Sequence, residues 1–534
     1  MSNRTGIARG VASKAITLIS FWGRAALLAG LTLNVPSHAD AATINATSSS
    51  FANITSAIAA ADSGDTVVVP PGTLSWPSTL VITKGITLQG AGNDATVILD
   101  NVPRTSTNQG GTVIAISSTP SQSFRLTGFT FRSGSLTAKS NAAIRFSGQC
   151  PSIRVDHCHF DRLHSSADIQ IFGWLYGVID HSTFDETSGG KSSVSVSHES
   201  WGGKVSGWGS WADPPFFGSE KFIFIEDNVI NNLVGGANTG TIDGSRGGRF
   251  VVRHNTLNNL SIFYHGTDSG QGGVYYRGTR AVEIYNNTFQ SSIQISSGQN
   301  RSGPLLFHDN TLTGTYDGGM ALKTYRLFQG NPTDEFRIAN GNDLWDLNVT
   351  ESDGVTHIDG HSPYLFLTGS HTGGNNSATL VVANAGWTIN HWAGYSVTNA
   401  VTGYCGYVAS NTSDTITFDT SGSDARTMIK FNTRDGFSVH KVLVALDQPG
   451  RGQGDLLTGM PPTPVAWPHQ ALDPCYSWNN TLNGSNLDFA SSDLQLRENV
   501  DYYNKTPKPG YTPYTYPHPL VSGPGAPSNL RVVR

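Results

Sequence analysis

Charge is scarce in this chain. Of 534 residues, only 14% are Asp, Glu, Lys or Arg, and the formal net charge is -5. Beyond the first two dozen residues there is no run of Lys and Arg, so the basic footprint that nucleic-acid binding requires is missing. Cysteine is nearly absent. Cys150, Cys158, Cys405 and Cys475 are spaced in no zinc-binding pattern, and Cys158 stands where related phrases carry Asn, which predicts a thiol packed inward. Long apolar runs are lacking as well. The stretch from Ala25 to Val35 is too short to span a bilayer; with Arg4, Arg9, Lys14 and Arg24 ahead of it and Ser37-His38-Ala39 behind, it reads as an export signal over 1–39. The mature protein is expected to be secreted or periplasmic, with no membrane span.

What is abundant is glycine, 60 residues, and a recurring phrase. IRVDHCHF (153–160), GVIDHSTF (177–184), IFIEDNVI (223–230), FVVRHNTL (250–257), VEIYNNTF (282–289) and LLFHDNTL (305–312) share apolar alternation, a polar pair, then Asn or Ser before a last apolar residue. They end at 160, 184, 230, 257, 289 and 312, giving gaps of 24, 46, 27, 32 and 23. A repeat of about two dozen residues built from short strands and turns is the mark of a solenoid; the 46 is read as two units with an unrecognisable middle copy. One column, Cys158, Ser182, Asn228, Asn255, Asn287 and Asn310, fits an inward amide ladder. Another, Val155, Ile179, Ile225, Val252, Ile284 and Phe307, is uniformly apolar and must face the core.

Upstream, Phe51, Ile54, Ile58 and Ala61 share one helical face, closed by Asp62-Ser63-Gly64-Asp65. GDTVVVPPGT and ITKGITLQGAG follow. This opening resembles the start of the right-handed parallel β-helix proteins of the pectin lyase-like superfamily, over roughly 50 to 320 and again about 475 to 500. The resemblance implies an all-β, right-handed parallel β-helix over 43–344 with an N-terminal capping helix. Asp156-His157 and Asp180-His181 are similar to a pectate lyase phrase, without the calcium region or arginine motif that accompany it. Alternating strands within 386–422 predict a small β module inserted over 345–455, because DPCYSWNNTLNG (473–484) restores the ladder phrase; 456–504 then returns to the solenoid. The Pro/Gly-rich tail, 505–534, reads as a linker, and its last residues, APSNLRVVR, resemble the first strand of a fibronectin type III domain.

A second family of strands lies between the phrases, at 167–173, 192–198, 240–244, 261–266, 291–296 and 319–325. If Ile171, Val196, Ile242, Tyr264, Ile295 and Leu322 point inward, alternation turns Asp243, His265, Gln294 and Lys323 outward into a polar row. The loops 244–249 and 266–280 supply Arg246, Arg249, Asp268, Arg277 and Arg280 beside it. The loop 199–221 supplies Trp208 and Trp211, either as a sugar-stacking wall or as a shield for the solenoid's side. Two reactions on an extracellular polysaccharide fit. In β-elimination on an acidic glycan, Arg249, Arg277 or Arg280, or a cation such as calcium, neutralises the carboxylate while His265 or Lys323 takes the C5 proton. In glycoside hydrolysis, Asp243 pairs with Asp268 or Glu226. Arg246, Arg249, Asp268, Gln294, Trp208 and Trp211 would bind substrate, and the protein would act as a monomer. A non-catalytic carbohydrate-binding or adhesive surface is the third alternative. The excess of arginine around the row favours elimination.

Overall fold

The computed structural model describes residues 41–521 apart from 105–110, 137, 188–190, 235–237, 267, 270–274, 324–326, 329–344, 347–364, 394, 420–428, 441–442, 446, 455–469 and 492–495. The segment read as an export signal and the last residues of the tail lie outside them.

The chain forms an all-β, right-handed parallel β-helix with three ladders. One coil shows how it is built. Ile223–Glu226 lies in the first ladder, Val229–Asn232 in the third and Asn238–Ser245 in the second; Arg249–Arg253 then returns to the first, one rung on. Register is strict: Glu226 pairs Arg253, Arg253 pairs Tyr285, Tyr285 pairs His308 and His308 pairs Trp478. Val155, Ile179, Ile225, Val252, Ile284 and Phe307 are fully buried in the core, so the predicted inward column holds. Behind the turn, Phe131, Phe160 and Phe184 stack at centroid distances of 5.6 and 4.7 Å.

The recurring polar pair makes the corner between the first and third ladders. Its second member takes a left-handed backbone in each coil: His157, His181, Asp227, His254, Asn286, Asp309 and Asn479 have φ between 48° and 57°, a region where Asn, Asp and His are the tolerated non-glycine residues. The next residue then points inward. Asn228, Asn255, Asn287, Asn310 and Asn480 hand amide hydrogen bonds from coil to coil at 2.9–3.1 Å, and each Oδ1 from Asn255 onward also accepts the preceding rung's backbone N–H. Cys158 and Ser182 occupy the same column. Burial pushes the Cys158 thiol up to about 12, so it packs rather than reacts; Cys150, Cys158 and Cys475 are free and buried.

The gap of 46 hides no middle copy. Phe184 pairs directly with Ile230, and the extra residues form one excursion, 198–222, between Ser192–Ser197 and Ile223–Glu226. The first edge is covered by helix α1, Phe51–Ala60, through Ile54, Ala57 and Ile58; Ser50 caps its start, and Lys84 donates to the carbonyls of Ile58, Ala59 and Ala61 at its end. After Ala321–Leu322 the chain leaves the solenoid. It builds a six-stranded antiparallel sheet from strands between Leu365 and His440, with a separate core that includes Leu380, Val397, Ile416 and Val439. Cys475–Trp478 rejoins the first ladder on the strand Leu305–His308, the next rung in register.

The tail is not a linker up to 521. It runs back along the outside of the first ladder: Tyr511 donates to Glu283, Arg253 donates to the carbonyls of Tyr514 and Thr515, the His518 amide donates to Glu226, and Arg154 donates to the Leu520 carbonyl. Tyr514, Leu520 and Val521 cover Val178, Phe224, Val251 and Tyr285. The column of Glu226, Arg253 and Tyr285 is therefore an interior network rather than a solvated row.

Two consequences are testable. Asn255→Ala removes the acceptor of the Asn228 backbone N–H and the donor to the Ile225 and Arg253 carbonyls, at about 1–3 kcal/mol per buried group left unsatisfied, so its thermal midpoint is expected to fall well below that of Ser182→Ala at the column's edge. Burial pushes the Glu283 carboxyl from 4.5 up to about 7, against the donors Tyr511 and Gly218. A carboxyl raised in the folded state contributes stability that is complete below about pH 4.5 and lost as pH rises through about 7. Wild-type stability is expected to decline over that window relative to Glu283→Gln; parallel profiles would refute the assignment.

Candidate functional site

With the first ladder covered by the tail, the second ladder presents the open face that carries most of the predicted row. Ile171, Val196, Ile242, Tyr264 and Leu322 are buried as predicted, and alternation turns their neighbours out. Register generates two parallel rows. Arg145, Gln170, Ser195 and Asp243 form one, continued by Phe263 and Gln299. Ser147, Phe172, Ser197 and Ser245 form the other, continued by His265, Arg301 and Lys323 just past the strand ends. Adjacent rungs are about 4.8 Å apart.

At the centre, His265 Nδ1 lies 2.9 Å from Asp243 Oδ1. The His265 backbone is fixed by its N–H to the Gly244 carbonyl at 2.8 Å and by its own carbonyl, which accepts from Thr279 at 3.0 Å. The imidazole is 43% and the carboxylate 21% exposed. Asp243 thus orients the ring through Nδ1. To one side, Arg145 and Arg246 reach the Phe172 ring from 4.5 and 5.3 Å. Burial first, and then the charge of Arg246, hold the Arg145 guanidinium below its usual range. Arg246 also donates to Glu199 at 3.3 Å. To the other side, the Arg301 guanidinium lies 3.7 Å from the Phe263 ring centroid and donates to Gln299 at 3.1 Å. Lys323 is exposed one rung further. Arginine over an aromatic ring carries its charge in a plane, the geometry that matches a planar anion.

The other predicted arginines lie elsewhere. Arg249 is buried, between Trp201 and Phe216, and its guanidinium donates to Ser210 and to the carbonyls of Pro214 and Pro215. Arg277 is buried in a bidentate pair with Asp447 and lies against Trp208 and Trp211 at 4.8 and 4.7 Å. Arg280 is buried over Trp211 and donates to the Asp213 carbonyl. Their charges anchor the excursion, and Trp208 and Trp211 are buried by the same contacts, so these tryptophans shield the side of the solenoid rather than wall a groove. The backbones close tightly where the excursion meets the corner. A Cβ on Gly247, at φ 73°, would sit 2.6 Å from that of Ser210.

Gln294 also falls away from the row. It belongs to Thr288–Ile295 in the third ladder, and the second-ladder strand of that coil is Gly298–Asn300, so Gln299 takes the outward place. The backbone of Asp268 pairs with Tyr276; its side chain lies outside the described residues. Glu226 is fully buried against Arg253 and cannot partner Asp243 in hydrolysis. Asp156 and Asp180, of the phrase resembling pectate lyases, are buried in pairs with Arg125 and Arg154.

Calcium needs six to eight oxygen ligands. Among the described residues of the open face, the carboxylates are Asp243, engaged by His265, and Glu199, engaged by Arg246 and the Ser206 amide. Set among three arginines, that donor set does not fit calcium. His159, Asp161 and Asp185 gather on the third ladder, where Arg132 and Asn231 already bond the carboxylates.

Arg145, Phe172, Phe263, Gln299 and Arg301 join the site without having been predicted. The signal was present in the register: Phe263 stands two residues before His265, and Arg301 follows the strand that pairs with it. The division of arginines is measurable. Arg277→Ala removes the guanidinium from the buried Asp447 carboxylate, a loss on the order of 3–5 kcal/mol, whereas Arg246→Ala is expected to leave the thermal midpoint nearly unchanged. No protein-family model matches this chain, and no curated protein or solved structure is significantly similar to it.

Proposed function

We propose that the protein is an exported polysaccharide lyase that cleaves an acidic glycan by β-elimination on the open face of the second ladder. The observation that carries this reading is the Asp243–His265 pair, flanked along the face by Arg145 and Arg246 on one side and by Arg301 and Lys323 on the other. A uronate chain lying across the strands would meet cations on both sides of one oriented base. The arginines neutralise the carboxylate attached to C5 and so acidify the C5 proton. His265 Nε2 removes that proton as Asp243 stabilises the imidazolium. The C4–O bond then breaks, a C4=C5 double bond forms, and the leaving oxygen takes up a proton. Phe172 and Phe263 offer flat apolar surface to sugar rings. The likeness of the N-terminal segments to the pectin lyase-like superfamily supports the same class; among the described residues of the face, the carboxylate besides Asp243 is Glu199, which Arg246 and the Ser206 amide engage.

The test is full-length protein incubated with alginate, pectate, glucuronan and uronate-containing glycosaminoglycans, followed by the ultraviolet absorbance of the unsaturated uronate together with reducing ends. Absorbance is expected to rise with one of them. His265→Ala is expected to lower kcat by at least about 100-fold, and Arg246→Ala and Arg301→Ala to raise KM more than they lower kcat. Reducing ends without absorbance would establish hydrolysis instead, and binding without either product would make the protein a lectin-like surface.

A further inference from the structure

Away from the open face, three ionisable side chains meet in a buried cluster. Lys191 Nζ lies 2.6 Å from Asp168 Oδ1 and 2.8 Å from Glu186 Oε2, and all three side chains have no solvent exposure. They come from one coil and the start of the next. Asp168 opens the strand Ala167–Asp180, Glu186 ends Thr183–Glu186, and Lys191 precedes Ser192–Ser197, whose first residue pairs with Ala167. Ser165 Oγ donates to Asp168 Oδ1 at 3.1 Å and Ser193 Oγ to Glu186 Oε1 at 2.6 Å, which fixes both carboxyls. Asp168 Oδ2 has no hydrogen-bond partner among the described residues.

As separate ions this is a costly arrangement, because two carboxylates share one ammonium without water. Burial first, and then the neighbouring Glu186, push the Asp168 carboxyl well above its usual range. The contents of the pocket are therefore a carboxylic acid, an amine within contact distance of it, and a second carboxylate touching the same nitrogen. None of the three side chains is exposed to solvent, and water is the product of their condensation.

We propose that Lys191 and Asp168 condense into an intramolecular isopeptide bond, with Glu186 as the proton carrier. Glu186 takes one proton from the Lys191 ammonium. The freed Nζ lone pair attacks Asp168 Cγ and forms the N–C bond. As the tetrahedral centre collapses, the Cγ–OH bond breaks and the hydroxyl leaves as water with a second proton from Nζ. The ammonium, carboxylic acid and carboxylate thus become an amide, a water molecule and a protonated Glu186, with charge and atoms conserved and no oxidant required. The product removes the buried ion pair and joins consecutive coils covalently, just before the excursion at 198–222, in a chain whose described cysteines are all unpaired.

Trypsin and mass spectrometry decide the matter on the wild-type chain. No Lys or Arg lies between Arg162 and Lys191, and the next after it is Lys204. The expected product is one peptide, 163–204, uncut after Lys191 and lighter by one water, with fragment ions that place the loss across the Asp168–Lys191 loop. Full-mass peptides 163–191 and 192–204 would overturn the proposal, as would a water loss that leaves Lys191 cleavable, since that marks a succinimide. Glu186→Gln is expected to yield the two full-mass peptides, and persistence of the cross-link in that variant would overturn the role given to Glu186. The wild-type digest stands whether or not the variant folds.

Discussion

Everything on the surface of this molecule takes its position from a buried amide. At each corner between the first and third ladders the chain turns within two residues, and the turn leaves backbone groups that have no strand partner. The inward Asn of the next coil supplies the acceptor for one N–H, while its own amide group donates to carbonyls of its own and the preceding rung. Satisfying these groups inside a dry core is what allows the coil to repeat without drift. Because the corner is identical from rung to rung, the side-chain alternation that follows it is also in phase. Asp243 and His265 meet because they stand on neighbouring rungs whose phase was fixed at those turns.

Scarcity of charge sharpens the reading of where charge occurs. Arg154, Arg249, Arg253, Arg277 and Arg280 are all buried, and each binds a segment that is not itself part of the coil: the tail, the excursion, or the chain returning from the inserted sheet. Buried ion pairs of this kind add little net stability compared with apolar packing, but they penalise any other placement heavily. They act here as locks that hold long irregular segments to a regular cylinder. The arginines left on the second ladder lie on phenylalanine rings instead. They gather where two rows of outward side chains, polar but for Phe172 and Phe263, run in register.

The sequence made the coil legible and left its attachments obscure. The Asn column, the inward apolar column and the Asp243–His265 adjacency could all be read from spacing, because parallel register converts sequence period directly into spatial neighbours. Alternation alone misplaced Gln294: Ser291 to Ser296 alternates like a strand of the second family, whereas the true rung, Gly298–Asn300, has no alternation to detect. The arginines of 249–280 were read as groove residues because loop position says nothing about which side a loop folds to. Their partners, the Asp447 carboxylate and the carbonyls of Asp213 and Pro214, lie from 35 to 170 residues away in sequence for the bonds that decide it. The tail was read as a linker from its Pro, Gly and Tyr, although those same tyrosines complete the apolar patch on Phe224 and Tyr285.

These attachments also determine which face is left for chemistry. A three-sided solenoid has three candidate surfaces. Here the first is sealed by residues 511–521, and the corner leading to it is sealed by the tryptophan excursion. The third carries an ion-paired row, with Arg132 on Asp161 and Asn231 on Asp185, whose polar groups already satisfy one another. The second keeps cations on aromatic rings and an imidazole with one nitrogen fixed. Arginine spread on an aromatic surface is only partly hydrated and carries its charge in a plane, so it discriminates in favour of planar anions over neutral sugars. A neutral glycan would draw on the aromatic rings alone, and the cost of holding Arg145 and Arg246 against one phenylalanine would go unrelieved. The acidic glycan of the proposed reaction would relieve that repulsion on binding. The charge pattern of the open face therefore supports the proposed acidic substrate independently of the chemistry proposed for His265.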